Sequence, residues 1–181
     1  MRGIDLGEWI FGMTDEEYRA CAKGHHAMGV IGGAKRLGLI NVEEIAGTLI
    51  VQHYRTEAAS PDHIRFTSDA SEGFLVHLVP FKMHVWWDMA VVPAEKGSSE
   101  LRCAIGFDAP GWVTAAGTMV GNNHFVRKHL VEETGNFAKD HGEIWPGLMS
   151  GFGFRIGFVV LDFSKPLQTR PSQNFSYPAP D

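Results

Sequence analysis

The residues of this sequence best suited to chemistry are a histidine and a glutamate four positions apart, His129 and Glu133. They fall in a stretch without proline whose apolar residues recur with a helical period, so their side chains should share one helix face, with Cβ atoms about 5–6 Å apart. Glu133 lies beside the predicted apolar stripe, where burial of an unpaired carboxylate is expensive. A divalent metal or a protonated histidine would provide a partner, whereas a partly exposed surface pair would need none.

Two upstream histidines are candidates to join this pair. His53 lies in a segment with a strand period, on the same predicted side as Leu49 and Val51, and it would point at the helix if that side is concave. A lone strand histidine is more often a hydrogen-bonded core residue, and the adjacent pair that begins at His25 is often solvated. We predict the catalytic residues His53, His129 and Glu133, and the candidate metal ligands His25, His53, His129 and Glu133.

The rest of the pattern predicts an α+β fold. Thr14 and Glu17 form a capping box for a helix from Asp15 to about Lys23, after a short apolar run, Trp9–Gly12, that could be a first strand. Further strands are predicted at Thr48–Thr56, His63–Thr67, Phe74–Val79, Met83–Val92 and Glu100–Phe107. A helix is predicted from Trp112 to about Asp140, with a core stripe of Met119, Val126, Leu130 and Phe137. A curled antiparallel sheet should therefore wrap around a long C-terminal helix.

The strand Met83–Val92 shows the clearest division into two faces. Val85, Trp87 and Met89 form an apolar face, which we predict to enter the core. His84 and Asp88 lie on the other face and should then be outside the site.

This order of elements resembles the helix-grip fold of Bet v 1-like proteins, START domains and polyketide cyclases/dehydratases. The segments Gly47–Tyr54 and His129–Thr134 are also similar to segments of small bacterial members of that superfamily. The resemblance implies a cavity between helix and sheet that holds an apolar or aromatic molecule, with His25 near one end of it. It covers a predicted ligand-binding domain, residues 1–141, and leaves 142–181 as an extra strand and a Pro-rich tail.

A narrower resemblance concerns the diacetylphloroglucinol hydrolases, zinc-dependent enzymes that cleave a carbon–carbon bond next to a ketone. They are similar in carrying His-x-x-x-Glu on the C-terminal helix, as His129 and Glu133 do here. The family's two other ligands are a histidine and a glutamate from upstream, and no motif in this chain places them. Glu72 and the upstream histidines are candidates for these two positions. The resemblance implies that the chain binds a divalent metal, and zinc is the first candidate.

Two functions from different classes follow from these observations. The first is an enzyme acting on an aromatic or polyketide-like compound by acid–base or metal-assisted chemistry, that is, by cyclisation, dehydration or carbon–carbon cleavage. The alternative is a non-catalytic carrier or sensor of a hydrophobic ligand. A net charge of −5 with scattered basic residues argues against nucleic acid and membrane partners. Two isolated cysteines and no apparent N-terminal signal predict a cytoplasmic protein with reduced thiols.

The segment Phe152–Leu161 is predicted to be an additional strand. Its large side chains alternate with glycines and Arg155, which leaves one strongly apolar face and one nearly bare face. Because the apolar face must be covered, we predict that the strand pairs outside the interior of the main sheet, at the subunit interface of a homodimer. An irregular tail is expected from Lys165 onward.

Overall fold

The fold is α+β in the computed structural model, which describes residues 5–93, 99–119, 122–144 and 155–160. In chain order the helices and strands are α1 (Leu6–Gly12), α2 (Asp15–Cys21), β1 (His25–Ile31), β2 (Gly38–Ile45), β3 (Thr48–Ala59), β4 (His63–Leu75), β5 (Val79–Pro93), β6 (Ser99–Asp108), α3 (Gly111–Met119), α4 (Asn122–Ile144) and β7 (Arg155–Val160). A short 3₁₀ turn, Gly33–Lys35, joins β1 to β2.

The strands form one curled sheet in sequence order. Strands β1 to β6 are an antiparallel meander, and β7 pairs in parallel with β6. Irregular registers within β3–β4 and β4–β5 mark bulges, which bend strands and increase their local twist. Among the described helices, none is long and apolar enough to cross a membrane.

The first two elements are both helices, so the predicted strand Trp9–Gly12 is wrong. These residues belong to α1, whose Leu6 and Ile10 are buried four positions apart, and the run was too short to reveal that period. The capping box of α2 is confirmed, because the Glu17 amide donates to Thr14 Oγ1 at 3.2 Å and the Thr14 amide donates to Glu17 Oε2 at 2.7 Å.

Most of the predicted strands are confirmed, with one exception. The strand predicted at His63–Thr67 lies within β4, which continues to Leu75. The strand predicted at Phe74–Val79 is wrong, because residues 76–78 form the turn between β4 and β5. The predicted helix from Trp112 onward is described as α3 and α4, and residues 120 and 121 between them lie outside the described part. The loop predicted after Pro93 also lies largely outside it, at 94–98.

The core lies on the inner face of the meander, against α1, α2 and α4. Val85, Trp87 and Met89 of β5 are buried there, as predicted. Phe137 of α4 is fully buried and packs against Trp87, with ring centroids 6.2 Å apart, and against Trp9 of α1 at 4.9 Å. Val126 and Leu130 of the predicted stripe are buried as well, whereas the Met119 side chain lies outside the described part.

The C-terminal strand is described over Arg155–Val160 only. It pairs with β6 of the same chain, so it extends the edge of the main sheet and leaves the interior of the meander unchanged. The remainder of Phe152–Leu161 and the tail from Lys165 lie outside the described residues. A homodimer interface at this strand remains a prediction.

Candidate metal centre

Three side chains with metal-binding atoms, those of His25, His129 and Glu133, meet at one end of the inner face, and Glu43 approaches His129. His25 begins β1, and its Cα partner across the sheet is Glu43 of β2. His129 and Glu133 lie one turn apart on α4, which brings them to the same place from the other side. His25, Glu43 and Glu133 are 4%, 5% and 6% exposed, and the His129 side chain is 12% exposed. Three separate elements therefore converge on one buried, polar point.

The distances within this cluster are wider than hydrogen bonds. His25 Nε2 lies 3.6 Å from Glu133 Oε1, and His129 Nε2 lies 3.7 Å from Glu43 Oε2. Single ligand atoms of His25, His129 and Glu133 all lie within 4.8 Å of one another. For comparison, atoms bound to one tetrahedral zinc ion are about 3.3–3.6 Å apart. The Nε2 atoms of both histidines are buried without a hydrogen-bond partner among the described residues.

Tyr18 of α2 fixes the orientation of His25. The two rings stack with centroids 3.9 Å apart, and His25 Nδ1 lies 2.7 Å from the Tyr18 carbonyl oxygen. Because a carbonyl can only accept, Nδ1 must carry the hydrogen, so in the neutral ring Nε2 holds the free electron pair. His25 is thus held in the tautomer that a metal ligand needs.

The same tyrosine also holds Glu43. Its hydroxyl donates to Glu43 Oε1, which accepts a second hydrogen bond from Asn41 Nδ2 at 2.8 Å. Asn41 Nδ2 lies 3.0 Å from the Tyr18 hydroxyl oxygen as well. One carboxylate oxygen is therefore satisfied by protein donors, and Oε2 is left facing His129.

Gly24 allows His129 to approach the beginning of β1. A Cβ atom at this position would lie 2.5 Å from the Glu44 carbonyl oxygen and 3.3 Å from His129 Cε1. Any other residue would push the strand or the histidine ring away. The small residue is required by this close approach.

The two buried carboxylates dominate the electrostatics of the site. Burial, together with the nearby Glu43 carboxylate, raises the pKa of Glu133 well above its ordinary value. Burial and the same carboxylate raise the pKa of Tyr18, and burial lowers the pKa of His25, which favours its neutral form. Among the described residues, the ion-pair partners of the two carboxylates are histidines. A divalent cation would balance both charges, so the donor set and its charge fit a metal ion.

A small cavity adjoins the cluster. Its volume is about 10 Å³, enough for roughly one water molecule or one ion. Its walls combine the polar residues Asn41, Glu43, His129 and Glu133 with the apolar or aromatic residues Ile45, Tyr54, Trp87, Ile105, Phe107, Val126 and Leu130. An aromatic ligand of the expected kind would fit only after some of these side chains had moved.

His53 lies outside this site, contrary to our prediction. It is on the exposed face of β3, whereas Ile50, Gln52 and Tyr54 are buried on the inner face. The prediction chose the face of Leu49 and Val51, which is only partly buried, because both faces of β3 carry large apolar residues. The common point expected for His53, His129 and Glu133 is therefore formed instead by His25, His129 and Glu133.

Glu72, the upstream glutamate suggested by the family resemblance, is also elsewhere. Its carboxylate accepts a hydrogen bond from Lys82 Nζ on the outer side of the sheet, and this contact lowers its pKa. The glutamate that joins the cluster is Glu43, which the sequence analysis missed. A usable signal was present, because Leu39, Asn41, Glu43 and Ile45 alternate along β2 with apolar residues at both ends, so the polar pair had to face inward.

Comparison of the chain with family models, with curated proteins and with solved structures finds no match, so only the residues of the site indicate its chemistry.

Proposed function

We propose that this chain is a metal-dependent enzyme of the helix-grip type that acts on a small aromatic or polyketide-like ketone. His25, Glu43, His129 and Glu133 would bind the metal. The observation that carries the proposal is the buried pair of histidine Nε2 atoms, which face two carboxylates but have no hydrogen-bond partner among the described residues. Such an arrangement is costly to bury unless a cation binds there.

Zinc is the first candidate for the metal. It accepts imidazole nitrogens and carboxylate oxygens, and two of each would leave room for water or substrate as a fifth ligand. Two carboxylates and two neutral imidazoles also balance the charge of a divalent ion. When bound, such an ion supplies a Lewis acid that polarises a carbonyl oxygen or a water molecule.

The surrounding residues would prepare the site for that chemistry. Tyr18 orients one ligand from β1 and one from β2, while burial and the nearby Glu43 carboxylate raise the pKa of Glu133 well above its ordinary value. Trp87 and Leu130 close the cavity with apolar surface and exclude bulk water. Electrostatic interactions are stronger in such surroundings than in water.

The reaction we favour is cleavage of a carbon–carbon bond next to a ketone, as in the diacetylphloroglucinol hydrolases. The resemblance implies an upstream histidine and an upstream glutamate as further ligands, and we propose His25 and Glu43 for these roles because both lie near the helix pair. Cyclisation and dehydration, which would use the same acid–base groups, are the alternative reactions. The support for this reaction comes from the residues of the site and from the order of helices and strands along the chain.

A carrier or sensor of a hydrophobic ligand is the competing function. Both functions need room for an aromatic ligand, so the cavity of about 10 Å³ does not separate them. A carrier, however, would leave the buried polar cluster without a purpose. We therefore rank the enzyme first.

Metal content and turnover test the proposal together. We expect purified chain to contain close to one zinc ion, and Glu133→Ala to contain almost none. His53→Ala is the matched control, since this histidine lies on the outer face and should leave the metal content unchanged. The zinc-loaded chain should release acetate from diacetylphloroglucinol. A chain that takes up no divalent metal would contradict the proposal, and metal binding without turnover would refute the carbon–carbon cleavage.

A further inference from the structure

A second group of buried polar atoms lies beside the metal-binding cluster. Gln52 of β3 is fully buried, and neither its Oε1 nor its Nε2 has a hydrogen-bond partner among the described residues. Asn41 of β2 is 5% exposed, and its Oδ1 is also without a partner there. Buried side-chain amides are normally hydrogen-bonded, so three such atoms at one place require an explanation.

The two amides face each other. Asn41 and Gln52 are Cα partners in the antiparallel pairing of β2 with β3, and both side chains point to the inner face. Directly opposite residues have Cβ atoms about 4.5–5.5 Å apart, which leaves the amides within reach of one small group. Asn41 is also two positions from Glu43 on the same strand face, about 7 Å along the strand.

The orientation of the Asn41 amide is fixed by the metal-binding cluster. Its Nδ2 donates to Glu43 Oε1, and the reversed amide would place an oxygen against that carboxylate. Asn41 Oδ1 is therefore directed away from Glu43 and remains free to accept a hydrogen bond. Since Asn41 also lines the cavity beside Glu133 and His129, this acceptor belongs to the same pocket wall.

The polar surface continues onto the next strand. Ser71 and Ser68 of β4 are buried, and the Ser71 hydroxyl donates to Ser68 Oγ at 2.8 Å. Val51 and Glu72 are Cα partners in the pairing of β3 with β4, so Gln52 and Ser71 each lie one residue from that pair. A leucine or methionine would fill the volume of Gln52 without loss of hydrogen bonds, so the amide is kept here at a cost to stability.

We infer that Gln52 and Asn41 form a subsite that recognises a second oxygen of the substrate, a hydroxyl or a carbonyl, while the reacting ketone lies at the four-residue cluster. Gln52 Nε2 would donate to that oxygen, and Gln52 Oε1 or Asn41 Oδ1 would accept from it if it is a hydroxyl. The inference rests on the proposed function for the position of the ketone. It adds which side chains recognise the second oxygen of such a ligand, namely those of Gln52 and Asn41.

Two compounds that differ only in ring hydroxyls test this subsite. Calorimetric titration of the full chain should show tighter binding of 2,4,6-trihydroxyacetophenone than of acetophenone. Gln52→Leu should reduce this preference about tenfold or more by weakening the hydroxylated compound alone. Its zinc content should be unchanged and its melting temperature equal or higher. If the leucine packs poorly, Gln52→Met, which has an unbranched side chain, takes the place of Gln52→Leu. His53→Leu on the outer face is the matched control and should leave the preference for the hydroxylated compound unchanged.

Two results would overturn the inference: a wild-type chain without preference for the hydroxylated compound, or a Gln52→Leu chain that keeps the full preference. Both compounds are measured on zinc-loaded and on chelator-treated chain. A preference that depends on Gln52 in a chain that never takes up metal would support the subsite and contradict the proposed function. Normal metal uptake, together with a preference that Gln52→Leu leaves unchanged, would contradict the subsite and support the metal site of the proposed function.

Discussion

The inner face of the sheet divides into two halves of opposite character. On β5, β6 and the first part of β4 it is mainly apolar, with Phe66, Trp87 and Leu101 all buried in one continuous core. On β1 to β3 it presents polar side chains that are equally buried, among them Glu43 and Gln52. The first half provides most of the free energy of folding through burial of apolar surface. The second half loses stability to unpaired polar atoms, which is the expected property of a binding site.

The apolar half should show the largest effect of a single substitution on stability. Phe66 is fully buried between Phe11, Tyr54 and Trp87, so Phe66→Ala should reduce the free energy of unfolding by about 3–5 kcal/mol. Chemical denaturation measures this loss. The folded fraction should still bind metal, because Phe66 touches none of the four ligands in the described contacts. A loss below about 1 kcal/mol would contradict the division into halves.

The polar half should respond to Tyr18→Phe with a loss of metal affinity. The phenyl ring keeps the stacking on His25, and the backbone carbonyl still accepts from Nδ1, but the hydrogen bond to Glu43 is lost. Loss of one such orienting partner typically lowers metal affinity about 10–100-fold. Competition with a chromophoric chelator measures it. An unchanged metal affinity would show that the hydrogen bond from Tyr18 is not needed to orient Glu43.

The pH dependence of the metal-free chain should reveal Glu133. Its folded pKa is raised well above the ordinary 4.5, so the folded chain retains a proton that the unfolded chain releases. Stability should therefore fall as pH rises from 4.5 through the folded pKa. The lowered pKa of His25 has the opposite effect on the pH dependence of stability, but only below its ordinary value of 6.5. The pKa of Cys103 is raised from 9.0 to about 12, so this thiol adds to the fall in stability only above pH 9.0.

Thermal melts of the wild type and of Glu133→Gln from pH 4.5 to 9.0 isolate this contribution as the difference between the two slopes. Glu133→Gln should flatten the slope in this range, while Glu16→Gln, an exposed substitution in α2, should leave it unchanged. Saturating zinc should also remove the slope, because it favours the ionised carboxylate. A slope that persists in Glu133→Gln would assign it to another group.

The smallest effect is expected at His53. The side chain is exposed on the outer face of β3, so His53→Ala should change stability by no more than about 0.5 kcal/mol and leave metal affinity unaltered. Denaturation and chelator competition measure the two quantities. A marked loss of metal affinity would restore His53 to the site and contradict its exposed position.

The two halves also differ in how well the sequence predicts them. The apolar face of β5 was assigned correctly, since Val85, Trp87 and Met89 form the more uniformly apolar side of the strand. In β3 both faces carry large apolar residues, so the buried side depends on tertiary contacts that the period cannot reveal. His53 was placed inside for that reason.

The site was predicted in part. His129 and Glu133 follow from helical spacing alone, and His25 was named as a candidate, but Glu43 was missed because β2 was not recognised as a strand. Polar residues at inward positions weaken the usual sign of a strand, an alternation of apolar and polar residues. Residues that form a functional site are thus the ones that sequence patterns are least able to place.

The ligand set itself is the central claim, and X-ray absorption at the zinc edge of the loaded chain tests it most directly. The account predicts four or five nitrogen or oxygen neighbours at about 2.0–2.2 Å, with the outer-shell scattering of two imidazole rings. Glu43→Gln should change this spectrum, whereas Glu72→Gln on the outer face should not. A spectrum with sulfur neighbours at about 2.3 Å, or one without imidazole scattering, would contradict a centre built from His25, Glu43, His129 and Glu133.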